Sequence, residues 1–268
     1  MRLAWMTDIH LNFLGTQQIE TFLDSILEEK PDALLITGDI GEANSVEDYL
    51  KRMAEHVQCP IYFVLGNHDY YHGSIEGVRT RIRRLGRSHP LLCWLPDCGV
   101  VRLTEDVALV GHGGWSDGGY GDFMKSSISL NDYLLIGELA RKKPYRRALL
   151  TMLRALGMEA ASHLQDALDE ALREVPHVIV ALHSPPFMEA CWHEGQSATK
   201  DNPYLPHFTC KACGDVLLAA ANKYPQRKIT VLCGHTHGGG SVQIRPNLHV
   251  TTGAAVYEQP RIQQVLTL

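Results

Sequence analysis

Aspartate, histidine and asparagine recur in this chain at one kind of place, directly after a short apolar run. Leu3 to Thr7 ends in Asp8 and His10. Ala33 to Thr37 runs into Gly38 and Asp39, and Ile61 to Leu65 gives way to Gly66, Asn67, His68 and Asp69. His183 follows His177 to Leu182, and His235 and His237 follow Lys228 to Cys233 inside a glycine-bounded loop. Carboxylate, imidazole and amide oxygen suit divalent ions of borderline to hard character. An Asp and a His two apart on extended backbone point to one side, so Asp8 and His10 can chelate a single ion. His235 and His237 cannot share a helical face, but a tight loop can turn both toward a metal. Histidine is abundant, at 14 residues, and its placement beside Gly and Asp suits metal binding or acid-base work. Any one of these motifs is more often a cap or a turn than a ligand; their conjunction points to a site.

Such groups need elements that bring them to a common edge. The apolar runs read as buried strands. Between them, Thr16 to Lys30 has helical spacing stopped by Pro31, and Val46 to Val57 reads as a helix capped by Asn44 or Ser45 with Glu47 and Asp48 in its first turn. Three strand-helix units in succession imply a parallel sheet with right-handed crossovers, which puts the three polar tips on one edge. Ligands of open α/β sheets bind at that carboxyl edge.

Beyond it, Ser74 to Gly86 reads as a helix. It carries Arg79, Arg81, Arg83 and Arg84, with Arg87 just after, a solvated face or else a basic rim beside an anionic substrate. Leu91 to Leu95, Val100 to Leu103 and Val107 to Val110 read as an antiparallel meander in a second sheet, running into a glycine-dense loop from Gly111 to Gly119 of the kind that borders sites. Residues 127–172 read as a helical insertion or cap, broken at Lys143 and Pro144 and again near Gly157. Phe187 to Phe208 reads as a long loop. Cys210 and Cys213 form a lone CxxC, read as the first turn of a helix to Tyr224 rather than a zinc site. Val242 to Arg245 and Leu248 to Thr252 close the second sheet as a hairpin, with the tail along its edge.

Composition narrows the classes. A chain of 268 residues with a net charge of -5 does not hold nucleic acid by bulk electrostatics, so nucleic acid is not the expected partner. Seven cysteines, several within apolar runs, do not form a disulfide framework. No apolar run reaches the roughly 18 to 20 residues of a membrane span, and Asp8 and His10 interrupt the first one too early for a signal peptide. The expectation is a soluble cytoplasmic protein with no membrane partner.

The ordered set Asp8-x-His10, Gly38-Asp39, Gly66-Asn67-His68-Asp69, His183 and Gly234-His235-x-His237 resembles the calcineurin-like metallophosphoesterase superfamily over essentially the whole chain. The resemblance implies one domain over residues 1–268, an α/β fold built as a four-layer α/β/β/α sandwich of two mixed sheets. It also implies two divalent metal ions (Mn, Fe, Zn, Ni or Co). Asp8, His10 and His237 would hold one, Asn67, His183 and His235 the other, and Asp39 would bridge them. A hydroxide between the metals would attack the phosphate ester, with His68 beside the leaving oxygen and Asp69 orienting His68. Two departures bear on the substrate: no arginine follows Asp39 through Asn44, and none precedes Gly66. Branches of the family that grip a terminal phosphate use such arginines. The expected substrate is therefore a small phosphodiester of cyclic nucleotide or glycerophosphodiester type. The alternatives are a phosphomonoesterase, a nuclease, or a non-catalytic scaffold of the same fold.

Overall fold

The computed structural model describes residues 1–268. Strand β1 (Arg2–Met6) opens the first sheet and α1 (Thr16–Glu28) crosses over it. β2 (Ala33–Thr37), α2 (Val46–Val57), β3 (Ile61–Val64), α3 (Ile75–Ser88) and β4 (Leu92–Trp94) repeat that unit. The four strands pair in parallel in this order. Local sequence sets the helices: Ile19, Phe22, Leu23 and Ile26 make the buried stripe of α1, and the Ser74 hydroxyl caps α3 by accepting the Gly77 N–H. In β1, Ala4 and Met6 face the helices while Leu3 and Trp5 face the second sheet. A strand buried on both faces has no polar alternation, which is why these runs are apolar throughout.

After α4 (Leu95–Cys98) come β5 (Val101–Arg102), β6 (Val107–Gly111), the single turns α5 (Asp132–Leu135) and α6 (Gly137–Ala140), and α7 (Arg146–Glu174). β7 (His177–Ala181) follows, then the ribbon β8 (Trp192–His193) and β9 (Gln196–Ser197), α8 (Leu205–Phe208), α9 (Lys211–Lys223) and β10 (Lys228–Cys233). The hairpin β11 (Gly240–Arg245) and β12 (Leu248–Thr252) and finally β13 (Gln264–Thr267) complete the chain. The second sheet runs β11-β12-β10-β7-β6-β5, parallel at its centre and antiparallel at both edges. α7 and α9 cover its outer face through Leu164, Leu168, Leu172 and Leu217. The sheets meet through Leu3, Trp5, Leu35, Leu109, Ile179 and Leu232. The result is the expected α/β/β/α sandwich of two mixed sheets, with the carboxyl ends of β1, β2, β3, β7 and β10 along one edge. No helix is long and apolar enough to cross a membrane.

Several local expectations need correction. β4 is not part of a meander: it pairs in parallel with β3, because the preceding α3 makes a crossover, and a crossover returns the chain parallel to its neighbour. α7 runs unbroken through Gly157 for 29 residues. A Cβ there would lie 2.6 Å from the Asp117 Cβ, so the glycine serves a close approach between helix and loop rather than a break. The tail does not follow the edge of the second sheet; β13 crosses to the first and pairs antiparallel with β1. Phe187 to Phe208 holds β8, β9 and α8 instead of bare loop. Cys93 and Cys98 are joined as a disulfide, while the other five cysteines are free and four of those are buried. Within residues 127–172, α5 and α6 pack against the turn after β3, with His72 N donating to Leu135 O and Gly137 N to Gly73 O, both at 2.9 Å. α7 belongs to the outer helical layer.

Candidate metal centre

The loops at the carboxyl edge place the sequence motifs together in two sets. In the first, one ligand atom each from Asp8, His10, Asp39 and His237 lie within 4.8 Å of one another. His10 Nε2 stands 3.1 Å from His237 Nε2 and 3.8 Å from Asp39 Oδ2, and His237 Nε2 is 3.5 Å from Asp8 Oδ1. No lysine or arginine enters this group. Burial, together with the carboxylates of Asp8 and Asp69, pushes the Asp39 carboxyl well above its ordinary range, so the group lacks a positive partner. Two carboxylates and two imidazoles without a cation fit a divalent ion.

The backbone holds these residues at a cost. Asp8, His10, Asp39, His235 and His237 all have φ between 41° and 72°, the left-handed region that non-glycine residues rarely adopt, at roughly 1–3 kcal/mol each. Gly66 is required by close packing: a Cβ there would sit 2.1 Å from Asp39 Oδ1.

The second set gathers around the other oxygen of Asp39. His183 Nε2 lies 3.4 Å from Asp39 Oδ1 and 2.9 Å from Asn67 Oδ1. His183 Nδ1 is 2.9 Å from the Thr37 carbonyl, which can only accept, so Nδ1 carries the proton and Nε2 presents its lone pair. The Asn67 amide is fixed too, since its Nδ2 donates to Asp132 Oδ1 at 2.9 Å. With Asp39 ionised, three acceptors therefore converge with no hydrogen between them, an arrangement a cation relieves. A doubly protonated His183 would also relieve it, but burial disfavours that form and pushes its pKa down. The His235 ring is 4.9 Å from that of His183. Its Nε2 faces His207 O at 3.3 Å and Ser116 Oγ at 3.4 Å, leaving Nδ1 for a metal.

Residues 1–239 match the calcineurin-like phosphoesterase family. The chain belongs to that family. It is 24% identical over 238 residues to the glycerophosphodiester phosphodiesterase GpdQ of Enterobacter lignolyticus, a match covering 87% of this chain and 66% of that protein. It is 23% identical over 247 residues to an uncharacterized protein of Acanthamoeba polyphaga mimivirus, covering 88% and 84% of the two. Other curated relatives are matched over about a fifth to a third of their length. Among solved structures, phosphopantetheinyl hydrolase from Mycobacterium tuberculosis superposes with a TM-score of 0.67 at 13% identity, covering 96% of this chain and 89% of that one.

In this calcineurin-like phosphoesterase, Asp69 does not do what its position beside His68 suggested. Its fully buried carboxylate collects the backbone N–H groups of Asp39, Ile40, Gly41 and Gly66 at 2.8–3.0 Å. Burial still lifts the carboxyl to about 7 against those bonds. Successive side chains of the short turn His68–Tyr70 diverge, so Asp69 points back into the loop after β2 while His68 faces the cleft. Asp69 thus shapes the loop that carries Asp39, and His68 Nδ1 is buried without a partner. Stacking holds the His68 ring, at 4.2 Å from Tyr71. Burial and the neighbouring His183 push its pKa down to about 3, so His68 is a neutral N–H donor rather than an imidazolium acid.

Asp132 carries no mark in the sequence. This buried residue of α5 accepts from Tyr71 Oη at 2.7 Å as well as from Asn67, tying the ring that stacks on His68 to the amide of the second set. Nothing local marks it, because α5 reads as an ordinary helical turn. Tyr257 is likewise unmarked in the sequence, and its ring lies 4.8 Å from His10 and 4.9 Å from His237.

The cleft above both sets has a volume of about 270 Å³ and is lined by Tyr71, His193, Phe208 and Tyr257 among others, with no lysine or arginine. Four of the five arginines of α3 are engaged elsewhere: Arg79 with Glu159, Arg81 with Glu47, and Arg83 and Arg87 with Asp97. None of them lines the cleft, and Arg79 is largely buried rather than solvated. The glycine-dense loop does border the site, since Gly113 O accepts from His183 N and Ser184 N. Cys210 and Cys213 are buried at the start of α9, outside the metal-capable group.

Proposed function

We propose that this phosphoesterase hydrolyses a small phosphodiester. Asp8, His10 and His237 would hold one divalent ion and Asn67, His183 and His235 a second, with Asp39 shared between them. Such a pair supplies Lewis-acid charge to the phosphoryl oxygens and a water acidic enough to act as nucleophile at neutral pH. The single observation that carries the diester reading is the cleft wall. It offers aromatic rings, imidazoles, amides and the carboxylates of Asp39 and Asp132 but no lysine or arginine, which suits one phosphate charge better than the two of a monoester or the many of a nucleic acid.

The chain's own residues do the rest. His68, neutral and stacked on Tyr71, donates a hydrogen bond to the leaving oxygen. Asp132 keeps the Asn67 oxygen turned inward, and Asp69 fixes the loop on which Asp39 is presented. The likeness to a glycerophosphodiester phosphodiesterase supports this substrate class. Purified, metal-replete protein assayed with bis(p-nitrophenyl) phosphate and p-nitrophenyl phosphate tests it. Faster turnover of the diester is expected, and faster turnover of the monoester would overturn the reading.

A further inference from the structure

The connection from β12 to β13 leaves one sheet for the other and passes beside His10 and His237 on the way. Gln263 pins its base, donating through Nε2 to Ala254 O at 2.8 Å and accepting from Ala254 N through Oε1 at 3.0 Å. Ala255 N adds a bond to His237 O at 3.1 Å. This anchoring sets Tyr257 beside His237. Phe13, from the turn that follows His10, meets the Tyr257 ring edge to face at 4.8 Å. Tyr257 lines the cleft and is 44% exposed, and Phe13 behind it is 46% exposed, so a lip of two large aromatic side chains stands in water beside the cleft. Phe208, on the side of His235, is by contrast buried.

We infer that this lip is a binding subsite for a planar ring carried by the substrate, a nucleobase or an aryl group, with Tyr257 as the stacking face and Phe13 as its support. The inference rests on the phosphodiesterase reading for the identity of the scissile group, and adds to it what hangs from the phosphate. A flat ring covers exposed aromatic surface next to the ligands without needing a counter-charge, and the cleft provides none. Stacking of this kind tolerates different rings, because every base has a π face. Tyr257 lies 6.4 Å from His68 by ring centroids, so a ring on the lip stays within one ester linkage of the group facing the leaving oxygen.

Calorimetric binding of AMP and of ribose 5-phosphate to Mn²⁺-loaded protein isolates the contribution of the ring, since the two share the phosphate and the sugar. AMP is expected to bind about tenfold more tightly. Tyr257→Phe should keep that advantage, while Tyr257→Ala and Tyr257→Leu should remove it, the leucine variant retaining apolar bulk without a flat face. Phe13→Ala should reduce it in part. Equal affinities in the parent protein, or an advantage that survives Tyr257→Ala, would overturn the subsite. The diester reading is tested separately by turnover. Preference for the monoester defeats that reading and leaves the ring advantage standing, whereas diester turnover with no ring advantage defeats only the lip.

Discussion

The two donor sets are built on different principles. Asp8, His10, Asp39 and His237 converge through their own backbone, all four held in left-handed conformation, which the second set shares only at His235, and they bring two carboxylates with them. Asn67, His183 and His235 bring no charge. They are aimed by groups outside the set: Asp132 on Asn67, the Thr37 carbonyl on His183, Ser116 and the His207 carbonyl on His235. A metal at the first set would depend on loop conformation and local charge. One at the second, as proposed, would depend on hydrogen-bonded supports from distant segments, and on the share of Asp39 it can borrow.

The severest test of this contrast is Asp39→Ala, which removes the one residue common to both. It should empty both sets, giving less than one divalent ion per chain by elemental analysis, and lower turnover by at least about 10³-fold. Retention of a full complement of metal would show that the sets are independent. His68→Ala should keep both ions yet cost on the order of 10²-fold in kcat, and unchanged turnover would remove His68 from the chemistry. Asp132→Ala acts on one side only. Freed of its support, the Asn67 amide can rotate, and affinity for the second ion should fall about 10- to 100-fold while the first titrates as before. An equal loss at both sets would erase the distinction drawn between them.

Acid acts on the two kinds of group in opposite directions. Burial, as the main cause, pushes His10 down to about 2, and His68 and His235 to about 3, from an ordinary 6.5. Between those values the unfolded chain binds more protons at each of these histidines than the folded one, so their contribution to stability is full above about 6.5 and declines as pH falls toward 3. Burial pushes the Asp39 carboxyl up and lifts Asp69 to about 7, and these two offset part of that decline because they bind more protons folded than unfolded. Replacing one imidazole isolates its share: His10→Asn should make the melting temperature of metal-free protein fall less on acidification below about 6.5 than it does in the parent, and an identical profile would contradict a neutral, buried His10. The smallest effect is expected far from both sets. Arg83→Ala removes a half-exposed ion pair with Asp97 and should change stability by less than about 1 kcal/mol with turnover unaltered; a fall in activity would revive a role for the α3 arginines in binding substrate.

The same contrast explains what was legible in the sequence. Asp8, His10, Asp39, Asn67, His235 and His237 could be found because each follows a strand that is apolar on both faces, so its position on the common edge is a local property. Asp132 could not, because its partners Asn67 and Tyr71 lie more than sixty residues away and α5 has no signature beyond a helical turn. Asp69 was misjudged for the opposite reason: adjacency in sequence suggested contact with His68, whereas a tight turn separates neighbouring side chains. β4 and β13 went to the wrong sheet because apolar pattern identifies a strand but leaves open which neighbour it pairs with. Tyr257 is carried on the connection to β13, so missing that crossing meant missing the lip.

The antiparallel pairing of β13 with β1 joins Arg2 to Thr267 and Trp5 to Gln264, nearly the largest separation the chain allows. Until the residues of β13 have been synthesised and docked, β1 presents an unpaired edge, the kind of template on which foreign strands add. The loop after β1 also waits for His237, which arrives from the far end of the sequence. Completion of the first sheet by β13 is therefore a late, high-contact-order event, and acquisition of metal by Asp8, His10 and His237 together should mark the close of folding.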